Sequence, residues 1–340
     1  MKQPVEGVVR VGPLVSIPVI LGDFGIDTQA VLADAGLGPL TIDDPDNLVS
    51  YSARARLMGA CVKKTGCQHF GLLVGMQGGG KSLGLIGYLA QNAADVETGL
   101  DIICKYFHLH ATGAAVILSK GRGQAFLGYE IYQRRIEYIE QIEDGAMAMA
   151  YNILRTLCGR QWKPTEVCFS HRKPADVKPF AKYFDAPLRF DSERNGIYFD
   201  RKWLKHPVEG ADPELFRLLQ KQLEQAEQQA ELDFPQQVLR VLYAQLMSGD
   251  TSADAVAAAF AMHSRTLHRR LKVFNTSYQQ LHDECRNEIA MQLLENTDTD
   301  ISDIAGILGF TDSSVFSRAF RRWSGVTPSR WRSERRLDEE

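Results

Sequence analysis

The chain is 340 residues long, 44% hydrophobic and 24% charged, the make-up of a globular protein rather than a disordered or fibrous one. Its 39 Lys and Arg against 42 Asp and Glu leave a net charge of −3, which by itself argues against a nucleic-acid partner, because phosphate-binding domains are usually basic. The length suits two domains with separate cores, and six cysteines without a CxxC pair suit reduced thiols rather than a metal site.

The first apolar stretch, VGPLVSIPVIL, is broken by Pro13 and Pro18 and runs into Asp23. It is too short to span a bilayer and lacks a cleavage site, so the expected address is the cytoplasm, with no membrane partner. Two helical stretches are predicted within residues 1–60, around a loop at Asp43-Asp44-Pro45-Asp46. GMQGGGKS then has P-loop spacing: Gly75, four residues, Gly80, Lys81, Ser82. FGLLV before it could be a strand and SLGLIGYLAQN after it a helix, so an NTP-binding switch is the alternative function to carry. A working P-loop also needs an acidic residue ending a second buried parallel strand. The best candidate, GIYFD ending at Asp200, belongs to a predicted hairpin. A glycine-rich loop that happens to include Lys-Ser is the preferred reading.

Residues 83–110 read as two helices, with His108 and His110 at a helix end in structural roles rather than as ligands. From residue 113 the pattern alternates as a hairpin around Lys120-Gly121-Arg122-Gly123. A helix over 138–158 follows, then EVCFSH, a short helix after Pro174, PLRFD and NGIYFD, the last two joined by an Asn195-Gly196 hairpin turn. The predicted region is α+β with an antiparallel or mixed sheet. No GxSxG elbow appears, and Cys168 with His171 is proximity in sequence only, so no catalytic residue, metal or cofactor is assigned. Over 213–231, Leu215, Leu219, Leu223, Ala226 and Ala230 form one stripe. A helix packed on its own domain and a helix that links or pairs subunits both fit. Asp233-Phe234-Pro235 punctuates the chain, dividing it into domains 1–232 and 235–340.

Two segments of the second domain repeat each other. Val256 and Phe260 lie on one short helix, and Ile304 and Leu308 on another, 48 residues later. Leu267, Leu271 and Phe274 then match Phe316, Phe320 and Trp323, 49 residues apart. Spacing i, i+4, i+7 puts each trio on one helical face, the predicted buried one. Each copy is a helix-turn-helix. The opposite faces carry Arg265, His268, Arg269 and Lys272 in the first copy and Ser314, Ser317, Arg318 and Arg321 in the second. Guanidinium groups and hydroxyls on an exposed helix suit base edges and phosphates in the major groove. Ser264 and Asp312 are predicted near the helix starts, and Thr327-Pro328 is predicted to open a last helix.

ISDIAGILGFTDSSVFSRAFRRWSGVTPSRWR resembles the signature of the AraC/XylS transcription regulators, and SRTLHRRL…TSYQQLHDECRNEIAMQLL resembles that family's first motif and connecting helix. HFGLLVG, SLGLIGYLAQNA, YFHLHATGA, LGYEI, NILRTLCGRQWKPTEVCFSHRKPAD, FDAPLRFDSERNGIYFD and GADPEL resemble the arabinose-binding-type regulatory domain of one branch. The resemblance implies an α+β ligand-sensing and dimerisation domain followed by an all-α DNA-binding domain with two helix-turn-helix units. It places base-reading positions on Arg265, His268 and Arg269, and on Ser313, Ser314, Ser317 and Arg318; phosphate contacts fall to Lys272, Arg321 and Arg322. The implied partners are double-stranded operator or promoter DNA, a small-molecule effector, a second copy of the chain and RNA polymerase. Two positions depart from the family pattern. Ala261 stands in the first turn where Gly is usual, as at Gly309 in the second, and Asn275 stands where Gly usually ends the first recognition helix. Asn tolerates positive φ best among non-glycine residues, so that bend should survive.

The net charge hides a sorting. Residues 262–274 hold four basic residues and no acid, and residues 313–336 hold seven Arg and only Glu334.

Overall fold

The computed structural model describes residues 6–133, 136–229, 234–248 and 251–337. They form two compact units. The first takes in the described residues of Met1–Phe169, Pro174–Arg189 and Arg194–Ala230; the second takes in those of Glu231–Glu340 with Ser170–Lys173 and Phe190–Glu193.

In the first unit, strand β1 (Val8–Arg10) leads into helices α1 (Ile17–Asp23) and α2 (Thr28–Asp34); β2 (Leu48–Ser50) returns antiparallel to β1, with Val9 opposite Val49. These three-residue strands are too short for alternation to reveal them. The Asp27 carboxylate caps α2 on the amides of Gln29 and Ala30, and Ser50 caps α3 (Tyr51–Thr65) on Ala53. FGLLV, a possible strand on sequence, is part of helix α4 (Phe70–Gln77). A short apolar run does not distinguish a strand from a buried helix. A 3₁₀ turn (Gly80–Leu83), α5 (Leu85–Gln91) and α6 (Val96–Tyr106) follow.

The main sheet is built from β3 (Ala114–Lys120), β4 (Gln124–Ile131), β5 (Glu166–Cys168), β6 (Leu188–Arg189) and β7 (Gly196–Asp200), in the order β3-β4-β7-β5-β6. Helix α7 (Ile139–Cys158) lies between β4 and β5 in sequence, and α8 (Lys178–Phe184) between β5 and β6. The sheet is mixed: β5 runs parallel to β6 and antiparallel to β7. The Asn195-Gly196 hairpin is therefore a correction, since β5 separates the two strands it was expected to join. Gly196 instead opens β7 beneath the Phe126 ring, where a Cβ would stand 2.2 Å from a ring carbon. Helix α7 is buried nearly all round, packing on β4, β7, α3 and α4. Trp162, Phe169, Phe180, Phe184 and Phe199 fill the aromatic core around it. Helix α9 (Pro213–Gln229) closes the unit, packing on α5. Of its predicted stripe, Leu223 is buried, Leu219 and Ala226 are half-buried, and Leu215 is exposed. Ala230, Glu231 and Asp233 lie outside the described residues.

From Phe234 on, the described elements of the second unit are helices: α10 (Phe234–Ser248), α11 (Ala253–Ala259), α12 (Ser264–Val273), α13 (Tyr278–Asn296), α14 (Ile301–Ile307), α15 (Ser313–Ser324) and α16 (Pro328–Leu337). Its core gathers Val238, Leu242, Leu281, Cys285, Leu294, Phe316 and Phe320. The Tyr243 hydroxyl donates to the Glu288 carboxylate, satisfying two buried polar groups between α10 and α13.

Candidate nucleic-acid interface and regulatory cavity

α11–α12 and α14–α15 are the two helix-turn-helix units. Their turns need backbone that reverses hand. Ala261 (φ 50°) and Gly309 (φ 72°) occupy the left-handed region in the two turns, and Asn275 (φ 55°) and Gly325 (φ 87°) do so after the second helices. Both departures from the glycine pattern thus keep the glycine geometry.

Leu267 and Leu271 on α12, and Phe316 and Phe320 on α15, are fully buried. Phe274 is a correction: it is 46% exposed, because α12 ends at Val273 and Phe274 leaves the helical register. Its counterpart Trp323 stays half-buried, its ring 6.0 Å from Phe310. The caps also differ between copies. Asp312 accepts from the amides of Ser314 and Val315, both at 2.8 Å, and these bonds, Val315's first, hold its carboxyl below the usual range. Ser264 is instead the first residue of α12, and His263, which makes no side-chain cap, stands at the N-cap.

Arg265, His268, Arg269 and Lys272 on α12, with Ser313, Ser314, Arg318, Arg321 and Arg322 on α15, are exposed; Ser317 is half-buried. Arg265, Arg269, Lys272, Arg318 and Arg321 make no hydrogen bond or ion pair through their side chains with the described residues. Two neighbours are tied down. The Arg270 guanidinium lies over the Phe234 ring at 3.9 Å, and Arg322 pairs with Asp283 of α13 at 2.9 Å. Arg322 therefore reaches a phosphate only by giving up a partner. Helix α13 spaces the two copies: its 19 residues span about 28 Å, close to the ~34 Å that separates successive major-groove faces.

A second candidate site lies inside the first unit. A cavity among β3, β4, α3, α6 and α7 encloses about 590 Å³ of space, the solvent at its mouth included. Ile103, Phe107, Leu127, Met147 and Ile153 make its walls apolar, and Arg54, His110 and Tyr129 supply the polar groups. The Tyr129 hydroxyl lies 3.4 Å from that of Tyr51. Burial, then repulsion from Arg10 and Arg54, pushes the His110 pKa down to about 3, so the ring is neutral at neutral pH. The sequence placed His110 at a helix end; its place on the cavity wall was not legible there. Arg54 escaped notice on sequence, although it shares a helical stripe with Tyr51, Met58 and Cys61, and an Arg on an apolar stripe is the signal that could have found it.

The P-loop pattern has a packing origin. A Cβ on Gly75 would sit 2.2 Å from the Gly145 carbonyl oxygen, and one on Gly71 would sit 2.0 Å from that of Gln141, so α4 and α7 cross backbone to backbone. At the turn, a Cβ on Gly87 would meet the Gly80 carbonyl oxygen at 1.7 Å. Ser82 is engaged within the loop, accepting from the Gly79 amide, and Lys81 is exposed. Helix replaces the strand that a P-loop requires. The thiols of Cys61 and Cys158 are pushed up to about 12 by burial, far from a reactive thiolate. Among the described residues, no group of three or more His, Cys, Asp or Glu is placed to hold a metal ion, and no helix is long and apolar enough to cross a membrane.

Paired helix-turn-helix units with basic outer faces define a DNA-binding protein. Residues 25–208 match the family described as the arabinose-binding domain of AraC transcription regulators, N-terminal, and residues 256–334 match a helix-turn-helix domain. The chain belongs to the AraC family of DNA-binding transcription regulators. It is 28% identical over 316 residues to the HTH-type transcriptional regulator VirS of Mycobacterium tuberculosis, covering 92% of this chain and 93% of that one. It is 27% identical over 344 residues to the ornithine utilization regulator of Pseudomonas aeruginosa, covering 98% and 99%. Among solved structures it is similar to the transcriptional regulator CdpR of Pseudomonas aeruginosa, with a TM-score of 0.45 and 20% identity over 90% of this chain and 96% of that one.

Proposed function

We propose that this regulator is switched by a small molecule, with residues 1–232 sensing the effector and pairing two chains and residues 235–340 reading DNA. Its partners in this reading are operator or promoter DNA, the effector, a second copy of itself and RNA polymerase, and its compartment is the cytoplasm. Arg265, His268 and Arg269 read bases from the first unit; Ser313, Ser314, Ser317 and Arg318 read them from the second. Lys272, Arg321 and Arg322 take phosphates. The observation that carries this is the matched pair of α12 and α15, each with a buried apolar face and an exposed basic or hydroxyl face, spaced by one long helix.

Switching is a population shift. An effector that prefers one arrangement of the paired sensors favours one arrangement of the DNA-reading units; an effector indifferent to the arrangement does nothing. The test is footprinting on an operator selected by the full chain from random DNA. Two protected major-groove faces about 10 bp apart in each bound site are expected. Protection of a single face would show that only one copy reads DNA.

A further inference from the structure

The cavity of the first unit is lined by a buried cation that has no hydrogen-bond or ion-pair partner among the described residues. Arg54 is only 6% exposed and lines the cavity, yet it makes no hydrogen bond or ion pair with any described residue, and its Nε is buried without a partner. It is the one charged residue in the lining. His110, 2% exposed, faces the same space with its Nδ1 likewise unpartnered, and Tyr129 supplies a hydroxyl. A buried charge is costly unless paired, and guanidinium matches a carboxylate through two parallel hydrogen bonds. Nearly all the remaining lining is apolar.

We infer that the effector is an apolar monocarboxylate, its carboxylate held by Arg54 beside His110 and its hydrocarbon body against the Ile103, Phe107, Leu127 and Met147 walls. This rests on the proposal that the first unit senses an effector. It sets the class: one anionic head and an aliphatic or aromatic body, rather than a sugar, whose hydroxyls these walls leave unsatisfied. Neutral His110 completes the head site by donating a ring N–H to the carboxylate without adding a second charge.

The test is calorimetry on the full chain with decanoate and 4-phenylbutyrate, against decanol and 4-phenylbutanol as neutral counterparts. At least one acid should bind at least tenfold more tightly than its alcohol. Arg54→Met should abolish that preference while keeping the fold, since it removes an unpaired charge; Arg54→Lys should retain part of it. Equal binding of acids and alcohols, no acid binding, or an unchanged preference in Arg54→Met overturns the assignment. Ala150→Phe, which fills the cavity, separates the two levels of the reading by its effect on operator affinity. If no acid binds but Ala150→Phe alters operator affinity, the carboxylate falls and the sensor reading stands. If an acid binds through Arg54 yet neither it nor Ala150→Phe alters operator affinity, the carboxylate site stands and the sensor reading falls. If no acid binds and Ala150→Phe has no effect, both fall.

Discussion

On the proposed reading face, individual side chains differ in where they stand and what restrains them. Arg318 stands exposed midway along α15, whereas Arg321 lies about one turn further on. Arg318→Ala is expected to relax base preference at one position by about 1–3 kcal/mol, while Arg321→Ala weakens all sequences alike. Binding curves on single-base operator variants check this, and a uniform loss in both would remove Arg318 from the reading face. His110 makes a separate prediction about pH. Its folded pKa of about 3 lies below the ordinary 6.5, because burial first and then Arg10 and Arg54 disfavour the cation. The unfolded chain therefore binds the extra proton. That contribution is intact above pH 6.5 and is lost as the pH falls toward 3, at up to about 1.4 kcal/mol per pH unit. His110→Gln should flatten the acid limb of the urea-midpoint profile, and an unchanged slope would contradict this origin.

Within the elements, backbone geometry decides more than side-chain identity. Ala261 holds φ at 50° where its counterpart is Gly309 at 72°. An alanine there costs roughly 1–2 kcal/mol of strain, partly offset by the greater freedom of glycine in the unfolded chain. Ala261→Gly should raise the midpoint of thermal unfolding of the second unit, and Gly309→Ala should lower it. The glycine-rich segment behaves differently: Gly75→Ala should destabilise the first unit by about 1–3 kcal/mol through overpacking against α7, whereas Lys81→Ala stays within about 0.5 kcal/mol of wild type. Urea unfolding of the two variants checks the contrast, and parity between them would dismiss the close crossing. Legibility followed the same division. The helix-turn-helix copies were readable because buried and exposed positions recur in register, and the β3–β4 hairpin because its turn is local. The place of β5 between β7 and β6, and the convergence of Arg54 and His110, depend on contacts between residues far apart in sequence, which no local period encodes. FGLLV was ambiguous for want of length.

Across the whole molecule, charge and apolar surface are both distributed unevenly. The net −3 coexists with two cationic helices, because acids gather elsewhere in the same half. Screening acts over about 8 Å at physiological salt, so a helix in a groove responds to its own arginines more than to distant carboxylates. Operator affinity should fall steeply between 50 and 200 mM salt, with a slope reduced by about 1 in Arg321→Ala. Leu215 and Leu218 leave 40% and 56% of their surfaces exposed on α9 while Leu223 is buried. Where the proposed pairing of two chains uses this face of α9, glutamates at both exposed positions should leave a monomer by sedimentation; a persisting dimer would place the pairing surface elsewhere.

The crossing of α4 on α7 has a consequence for how variation in this family should be interpreted. Gly71 and Gly75 are held to hydrogen-sized side chains by the opposing backbone of α7, with no ligand involved. A saturation-mutagenesis map of the chain would mark them among its least replaceable positions, on a par with the arginines proposed to read bases. Their invariance would record the thickness of a methyl group, and would be mistaken for a nucleotide-binding signature wherever neighbouring residues happened to spell Lys-Ser.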